Sequence, residues 1–455
     1  MKYNFKNEIA KMSVWILGMR RSGLAAARLL HHYGAEVFVT EKDPADRVAQ
    51  EVQQLNDLGI ASETDGHRYQ NRPLPDFAVI SPGIPLNVPI IDFLKEQQVP
   101  VYSEIELASW FYHGVIIAVT GSNGKTTITH WIAHLLKTAG LDALAAGNIG
   151  YPFSELVLHH PETQYAVVEV SSFQLETIDS FHPKIAILTN LSPDHLDRHG
   201  DLLNYGRVKK RISNNQEAQD FLLLPETDPS ILRLVENVKA AKFFINTESI
   251  PENGAGFKDG ELFFIFEGNE EKILQRVEIP LPGRHNLENA LFSSLAVRLL
   301  SLPTARIREG LRTFPGVAHR LQTILNNGRI FINDSKSTNV ESLKVALEAV
   351  AAPIWLILGG RDKGTPFDPV KQLVAVKVER ILLIGEAAER IEKELAGLAP
   401  IIHCGTLERA VRLAAEEAPI GRTILLSPAC ASFDQFENYE HRGVVFQALV
   451  EEATK

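Results

Sequence analysis

Cysteine is almost missing from this chain: Cys404 and Cys430 are the only two in 455 residues. That excludes a disulfide-stapled scaffold and a thiolate metal site such as a zinc ribbon. No apolar run approaches the roughly 18 residues that a membrane helix needs, which speaks against membrane insertion. The opening "MKYNFKNEIAKMSVWILGMRRSG" has a basic flank, but its apolar part is short and lacks a small-residue cleavage site. It reads as a buried strand entering a turn rather than as a secretion signal. Positive charge is also in short supply. With 46 Lys and Arg against 56 Asp and Glu, the formal charge is −10, and no basic stripe offsets it. A general binder of nucleic acid or of acidic membranes is thereby excluded. An anionic ligand must be held by a few local cations and by backbone N–H groups. What is present is the composition of a globular protein, 45% hydrophobic and 22% charged, and a cytoplasmic enzyme is the default expectation.

One ordinary core does not suffice at this length, and two to four domains are expected. Short β-rich runs alternate with longer helical patterns, without internal repeats, which predicts an α/β fold of parallel sheets covered by helices. Val14–Leu17, Glu36–Thr40 and Phe77–Ile80, with a helical stretch up to His32, make a small Rossmann-like unit. The chain restarts with Ile116–Thr120, so a boundary falls near residue 103. Tyr165–Val170, Ile185–Thr189 and Phe221–Leu224 continue a central parallel sheet. "KFFIN", "ELFFIF" and "QRVEIP" suggest a small antiparallel patch on it, and "PLPGRHNLENALFSSLAVRLL" reads as a helix entered after Gly283. "RTFPGVAHR" looks like a linker. Beyond it, strands at Arg329–Ile332, Ile354–Leu358, Arg380–Ile384 and Thr423–Leu426 make a third, Rossmann-like unit. The expected domains are 1–103, 104–315 (the central P-loop domain) and 316–455.

The central unit opens on "TGSNGKTT", which sets Gly121, Ser122, Asn123, Gly124, Lys125, Thr126 and Thr127 between a strand and a helix. Backbone N–H groups and the helix N-terminus there surround phosphate oxygens. Lys125 reaches the β- and γ-phosphates, and the Thr126 hydroxyl ligates Mg²⁺. "VVEVSSFQLE" ends an apolar strand on Glu169, an acid placed to bind the same cation; a solvated strand-end carboxylate is the plainer alternative. "LTNLSPDHLDRHG" offers Asp194, His195, Asp197 and His199. The H-x-x-x-H spacing invites zinc, but the hydrolase glutamate and a third ligand are lacking. A single imidazole, His195, beside phosphate-bound magnesium is the better reading. In "ILGMRRSG" the middle glycine of a dinucleotide fingerprint is replaced by Arg20, which counts against an NAD-dependent oxidoreductase. Arg20, Arg21 and Ser22 could instead hold a diphosphate from the side. Late in the chain, "INDSKSTNVESL", "LILGGRDKGTPF" and "LLSPACASFDQFENYEHRG" each follow a strand. Their cationic and hydroxyl residues suggest one crevice for a ligand bearing carboxylates.

Taken together these motifs resemble the Mur ligases, ATP-dependent amide-forming enzymes of peptidoglycan precursor synthesis. "TGSNGKTT", "EVSSFQLE", "DHLDRHG", "GRHNLENA", "HRLQ", "NDSKSTN" and "SPACASFDQF" occur in the family's order across nearly the whole chain. The last two, with the short first domain, resemble the branch of the family that adds D-glutamate.

The resemblance implies that ATP phosphorylates a substrate carboxylate and that an amine then displaces phosphate from the acyl phosphate. The implied partners are UDP-N-acetylmuramoyl-L-alanine and D-glutamate, and the implied form is a monomer. Cofactors would be ATP and two magnesium ions, with Lys125, Thr126 and Glu169 serving one ion and His195 the second. A CO₂-derived carbamate on Lys209 would complete the second site. Uridine diphosphate would lie near Arg21, Ser22, Gly23, Thr40, Ser81 and Gly83, and Asn148 and His195 would contact the sugar-peptide portion. Asn286, Asn289, Arg320 and Asp334 would hold adenine and ribose. D-glutamate would meet Lys336, Thr338, Lys363, Ser432, the backbone of Phe433, and Tyr439, with Lys336 also counted as catalytic. The last domain is expected to swing about "FPGVAHR". Alternatives stay open at this point: a sister Mur ligase, a folylpolyglutamate synthetase, or a P-loop switch protein that hydrolyses ATP to change conformation.

Overall fold

The computed structural model describes residues 8–453 apart from 71, 282, 327 and 363. The chain divides into two compact units, Met1–Pro280 with Arg284–Phe314 and Leu281–Gly283 with Pro315–Lys455. The first unit carries two sheets and the second carries one.

The first sheet consists of β1 (Ser13–Leu17), β2 (Glu36–Thr40), β3 (Ala61–Glu63), β4 (Phe77–Ile80) and β5 (Val101–Ser103). Its order is β3-β2-β1-β4-β5, all parallel. Four successive residues of β1 are buried, because a parallel strand is covered on both faces. The strand order reverses between β1 and β4, which opens a crevice at the carboxyl ends of these strands.

The second sheet holds β6 (Val115–Thr120), β7 (Ala143–Gly147), β8 (Tyr165–Glu169), β9 (Ile185–Leu188), β10 (Phe221–Pro225), β11 (Ala241–Asn246), β12 (Gly254–Lys258), β13 (Glu261–Phe266) and β14 (Asn269–Gln275). The order is β14-β13-β12-β11-β10-β9-β6-β8-β7. The strand β6, which leads into the glycine-rich loop, sits where the connections reverse, between β9 and β8. The antiparallel patch is real but differs in detail from the expectation. "KFFIN" belongs to β11, which pairs in parallel with β10 and β12; only β12, β13 and β14 alternate in direction. "QRVEIP" begins at the end of β14 and then turns as a short 3₁₀ helix over Arg276–Glu278.

One continuous apolar cluster runs from Val14 and Leu30 through Phe111 to Ala118, Val168 and Leu222, under both sheets. Buried Glu106 adds a polar clamp. It accepts from Trp110 Nε1 at 2.8 Å and from the backbone N–H groups of Asp179, Ser180 and Phe181 at 3.0, 2.9 and 2.8 Å. A carboxylate can be buried this way because every lone pair has a donor.

In the second unit, β15 (Gln322–Asn326), β16 (Arg329–Asn333), β17 (Ile354–Gly359), β18 (Val378–Ile384), β19 (Ile401–Gly405) and β20 (Thr423–Leu426) form a sheet of order β15-β16-β20-β17-β18-β19. Only β15 is antiparallel. Adjacent β16, β20 and β17 run parallel, so the loops leaving them lie side by side. Among the described residues no helix is long and apolar enough to cross a membrane.

Candidate active site

The loop after β6 is shaped by glycine and by its neighbour after β9. Gly121 has φ +142°, and a Cβ there would lie 1.9 Å from Thr189 Oγ1. Gly124, at φ +86°, caps the helix Lys125–Thr138. The left-handed backbone at both positions suits only glycine without strain. Segment 189–192 then latches the loop: Asn123 N donates to Asn190 Oδ1 at 2.9 Å, Thr189 Oγ1 to the Asn123 carbonyl at 2.7 Å, and Ser192 N to Ser122 Oγ at 3.0 Å. The result is a rigid loop that delivers a helix N-terminus. Lys125 Nζ folds back onto the carbonyls of Gly121 and Ser122, at 2.9 and 2.8 Å. Buried Asn286 and Asn289 bond to each other on the helix Arg284–Leu299, and Asn289 Oδ1 comes within 2.6 Å of where a Gly124 Cβ would sit.

Register places Glu169, the last residue of β8, opposite Val119. Its side chain is buried and accepts from Thr126 Oγ1 at 2.6 Å and from Asn148 Nδ2 at 3.1 Å. Lys209, only 1% exposed, donates to the same Gly121 carbonyl as Lys125, at 2.8 Å, with its ammonium 4.5 Å from the centre of the Tyr205 ring. Burial, and then the charge of Lys125, holds the Lys209 ammonium well below the usual lysine range. Two lysine side chains thus share one carbonyl, an arrangement that repulsion disfavours when both are charged.

His195 stands at the head of the short helix Leu196–His199 in the left-handed conformation, at φ 52°. Its ring lies 4.8 Å from Phe173, and Nε2 is 3.5 Å from Asp194. His199, by contrast, is buried: Nε2 meets Ser172 Oγ at 3.0 Å and the ring stacks on Phe173. Burial lowers its pKa and favours the neutral ring. Among the described residues, no group of three or more His, Cys, Asp or Glu is placed to hold a metal ion.

At the crevice of the first sheet, Gly18, Gly23 and Ser81 pack so tightly that a Cβ on Gly23 would lie 1.8 Å from the Gly18 carbonyl. Arg21 opens the helix Arg21–His32. Thr40 Oγ1 donates to Glu63 at 2.9 Å and lies 2.8 Å from His67 Nδ1. The Arg20 guanidinium turns away toward Asp43, Glu51 and the Arg47 carbonyl. The loop N–H of Met19 is taken by Glu41 at 2.8 Å. An internal carboxylate therefore occupies a donor that a dinucleotide fold keeps for pyrophosphate.

In the second unit, Asp334 is buried and accepts from the hydroxyls of Ser337 and Ser427 and from Leu321 N. Lys336 Nζ lies 4.9 Å from the centre of the Tyr439 ring. Thr338 is half-buried in the same loop, Ser432 is buried, and Phe433 is exposed. Asp362 is held by Arg390 through two bonds of 2.6 and 2.7 Å, while Lys363 lies outside the described residues.

Residues 119–297 match the Mur ligase middle domain, and residues 319–430 match the Mur ligase glutamate ligase domain. Together the two models cover more than half of the chain. The chain belongs to the Mur ligase family. It is 40% identical to the UDP-N-acetylmuramoylalanine--D-glutamate ligase of Salinibacter ruber, over 98% of this chain and 99% of the relative. The relative of the same name from Acidobacterium capsulatum is also 40% identical, over 97% of each chain. In fold it is similar to MurC from Thermotoga maritima (TM-score 0.58, 20% identity, covering 97% of this chain and all of that one). It is also similar to MurF from Thermotoga maritima in complex with ADP (TM-score 0.59, 14% identity, covering 92% and 95%).

A Mur ligase uses ATP with Mg²⁺, and the residues fit both. Thr126 and Glu169 supply a hydroxyl and a buried carboxylate, hard oxygen donors of the kind Mg²⁺ prefers. The loop before the helix Lys125–Thr138 supplies backbone donors for phosphates.

Two residues of this Mur ligase were missed in the sequence. Arg442 is fully buried and donates to Ser335 Oγ and to the carbonyls of Ser335, Cys430 and Ala431, tying together the loops after β16 and β20. Its spacing from Phe446 and Val450, buried one and two turns on in the helix Tyr439–Glu452, was the available signal. Arg198 is the other, discussed below.

Asp334 offers a test of its environment. Burial pushes its carboxyl up to about 6, against its hydrogen bonds. A raised folded-state pKa gives stability that is fully present below the ordinary value of about 4 and is lost as pH rises through about 6. Denaturation at pH 4.5 and pH 7.5 should therefore show the wild type losing roughly 2 kcal/mol more than Asp334→Asn over that interval. Equal losses in the two proteins would refute the assignment.

Proposed function

We propose that this Mur ligase joins the L-alanyl carboxylate of UDP-N-acetylmuramoyl-L-alanine to the amine of D-glutamate, with ATP converted to ADP and phosphate. The observation that carries this reading is the Thr126–Glu169 pair set beside the two ammonium groups on the Gly121 carbonyl. The named activity of relatives 40% identical over nearly the full chain supports the choice of substrates.

A carboxylate is a poor acyl donor, and phosphorylation gives it a leaving group. The carboxylate oxygen attacks the γ-phosphorus and ADP leaves. The amine of D-glutamate then adds to the acyl carbon, and phosphate departs as the amide forms and the ammonium proton is lost. Two anions must meet in the first step, and bound Mg²⁺ supplies the charge that screens them. Lys125 swings from its two carbonyls to the β- and γ-phosphates, and the N–H groups of 121–127 hold the rest. Thr126 and Glu169 would hold one Mg²⁺, while His195 and Lys209 would serve the second. The carbamate on Lys209 forms from its neutral amine, R–NH₂ + CO₂ → R–NH–COO⁻ + H⁺. It puts an attracting anion beside Lys125 in place of a neutral amine.

We assign 1–103 to the UDP end of the substrate, through Arg21, Ser22, Gly23, Thr40, Ser81 and Gly83. Residues 104–315 take ATP, with Asn286 and Asn289 at the adenosine and Asn148 toward the sugar-peptide. Residues 316–455 take D-glutamate through Lys336, Thr338, Lys363, Ser432, Phe433 and Tyr439, with Arg320 and Asp334 contributing to the nucleotide. Lys336 pairs with a carboxylate of the amino acid in a charge-assisted bond.

Phosphate release in MgATP with the UDP-substrate, comparing D-glutamate, L-glutamate and no amino acid, tests the reading. Release that requires D-glutamate, with one amide per phosphate, is the expected result. Release that ignores both substrates would instead mark an ATPase switch.

A further inference from the structure

Arg198 lies in the "DHLDRHG" segment, and its side chain bonds Glu176 and the loop after β4. Its Nε is 3.1 Å from each oxygen of Glu176, and Nη2 makes a further, shorter bond to Oε2. Nη1 donates to the Pro82 carbonyl at 3.3 Å. The guanidinium plane sits 4.2 Å from the centre of the Phe173 ring, and the same ring packs against His195 at 4.8 Å and His199 at 5.7 Å. The side chains of Arg198 and Glu176 are only 15% and 12% exposed. Few directions of the guanidinium are left for solvent. Gly83, Leu86, Phe173 and Arg198 line one cavity of about 580 Å³.

We infer that Arg198 is a positioning residue that ties the loop after β4 to the wall carrying His195. The inference rests on the reading above, in which Ser81 and Gly83 hold the UDP end and His195 faces the reacting end. Pro82 lies between those two loop residues, so its carbonyl fixes the loop's height above Phe173. Glu176 neutralises the guanidinium, which keeps Arg198 from capturing the diphosphate itself. Lysine cannot replace it, because a point ammonium cannot pair in bidentate fashion, bond a carbonyl and stack on a ring at once. The span between the two ends of a long substrate is thereby set by one side chain, and misplacement of either end is costly in binding and rate.

The test uses the whole chain and three variants: Arg198→Gln, Arg198→Lys and Glu176→Gln. Calorimetric binding of UDP-N-acetylmuramoyl-L-alanine and steady-state constants are measured for each. Arg198→Gln should weaken that substrate's binding and raise its KM by about 10- to 100-fold, while the KM for ATP moves less than about twofold. Arg198→Lys should recover only a small part. Glu176→Gln should give a similar defect, and the double variant should be no worse than Arg198→Gln alone, since the pair acts as a unit. Unchanged substrate binding in Arg198→Gln, or parallel rises in every KM with loss of thermal stability, would overturn the inference. A wild type that binds the UDP-substrate but releases no D-glutamate-dependent phosphate would sink the proposed reaction instead, and the binding data would still judge Arg198.

Discussion

Lys209→Ala is expected to abolish turnover, with a residual rate at least about 10³-fold below wild type, and added formate or acetate should restore part of it. The reasoning starts from burial. Lys209 is buried, it donates to a carbonyl that Lys125 also uses, and burial and then the Lys125 charge depress its pKa. A lysine kept neutral is nucleophilic toward CO₂, and the carbamate proposed above would place an anionic oxygen beside Lys125. Alanine leaves a void next to the Gly121 carbonyl that a small carboxylate can enter. Initial rates of phosphate release, with and without added acid, decide the matter. Undiminished activity would show that Lys209 carries no catalytic group, and an inactive variant deaf to any carboxylate would show that its role is packing.

Glu169→Gln should lower kcat by about 10²- to 10³-fold and raise the Mg²⁺ concentration needed for half-maximal rate. The amide has the same shape: its oxygen can still accept from Asn148 Nδ2, its NH₂ can donate to the Thr126 hydroxyl, and the strand end keeps its packing. What is lost is the charge that a divalent cation requires. The melting temperature without magnesium should change by no more than a few degrees, since the site then holds no ion. A variant with wild-type magnesium dependence would remove Glu169 from the metal site.

Much of this architecture was legible in advance because parallel strands announce themselves as short apolar runs. β2, β4 and β20 fall on the expected residues, and the helix Arg284–Leu299 begins directly after Gly283 as expected. The failures share a cause. β12 reads Gly-Ala-Gly-Phe-Lys and was not among the expected strands, yet glycine is needed there because a Cβ on Gly254 would lie 1.9 Å from the Phe244 carbonyl. β7, Ala-Leu-Ala-Ala-Gly, is equally weak in β-branched residues, and it is formed by pairing with β8 rather than by propensity. The nucleotide loop was readable because its chemistry needs fixed residues at fixed spacing. Arg198 and Arg442 were not, because what they do depends on carbonyls distant in sequence. Pro82 is 116 residues from Arg198, and Ser335 is 107 from Arg442.

The central claim is that phosphate is carried on the substrate's carboxylate before the amide forms. It can be followed atom by atom with UDP-N-acetylmuramoyl-L-alanine labelled with ¹⁸O in both carboxylate oxygens. In MgATP with D-glutamate, the released phosphate should carry one ¹⁸O and the amide product the other. Unlabelled phosphate, with both labels still on the muramoyl-alanine, would mean that water takes the γ-phosphoryl group, and the acyl-phosphate mechanism would be wrong.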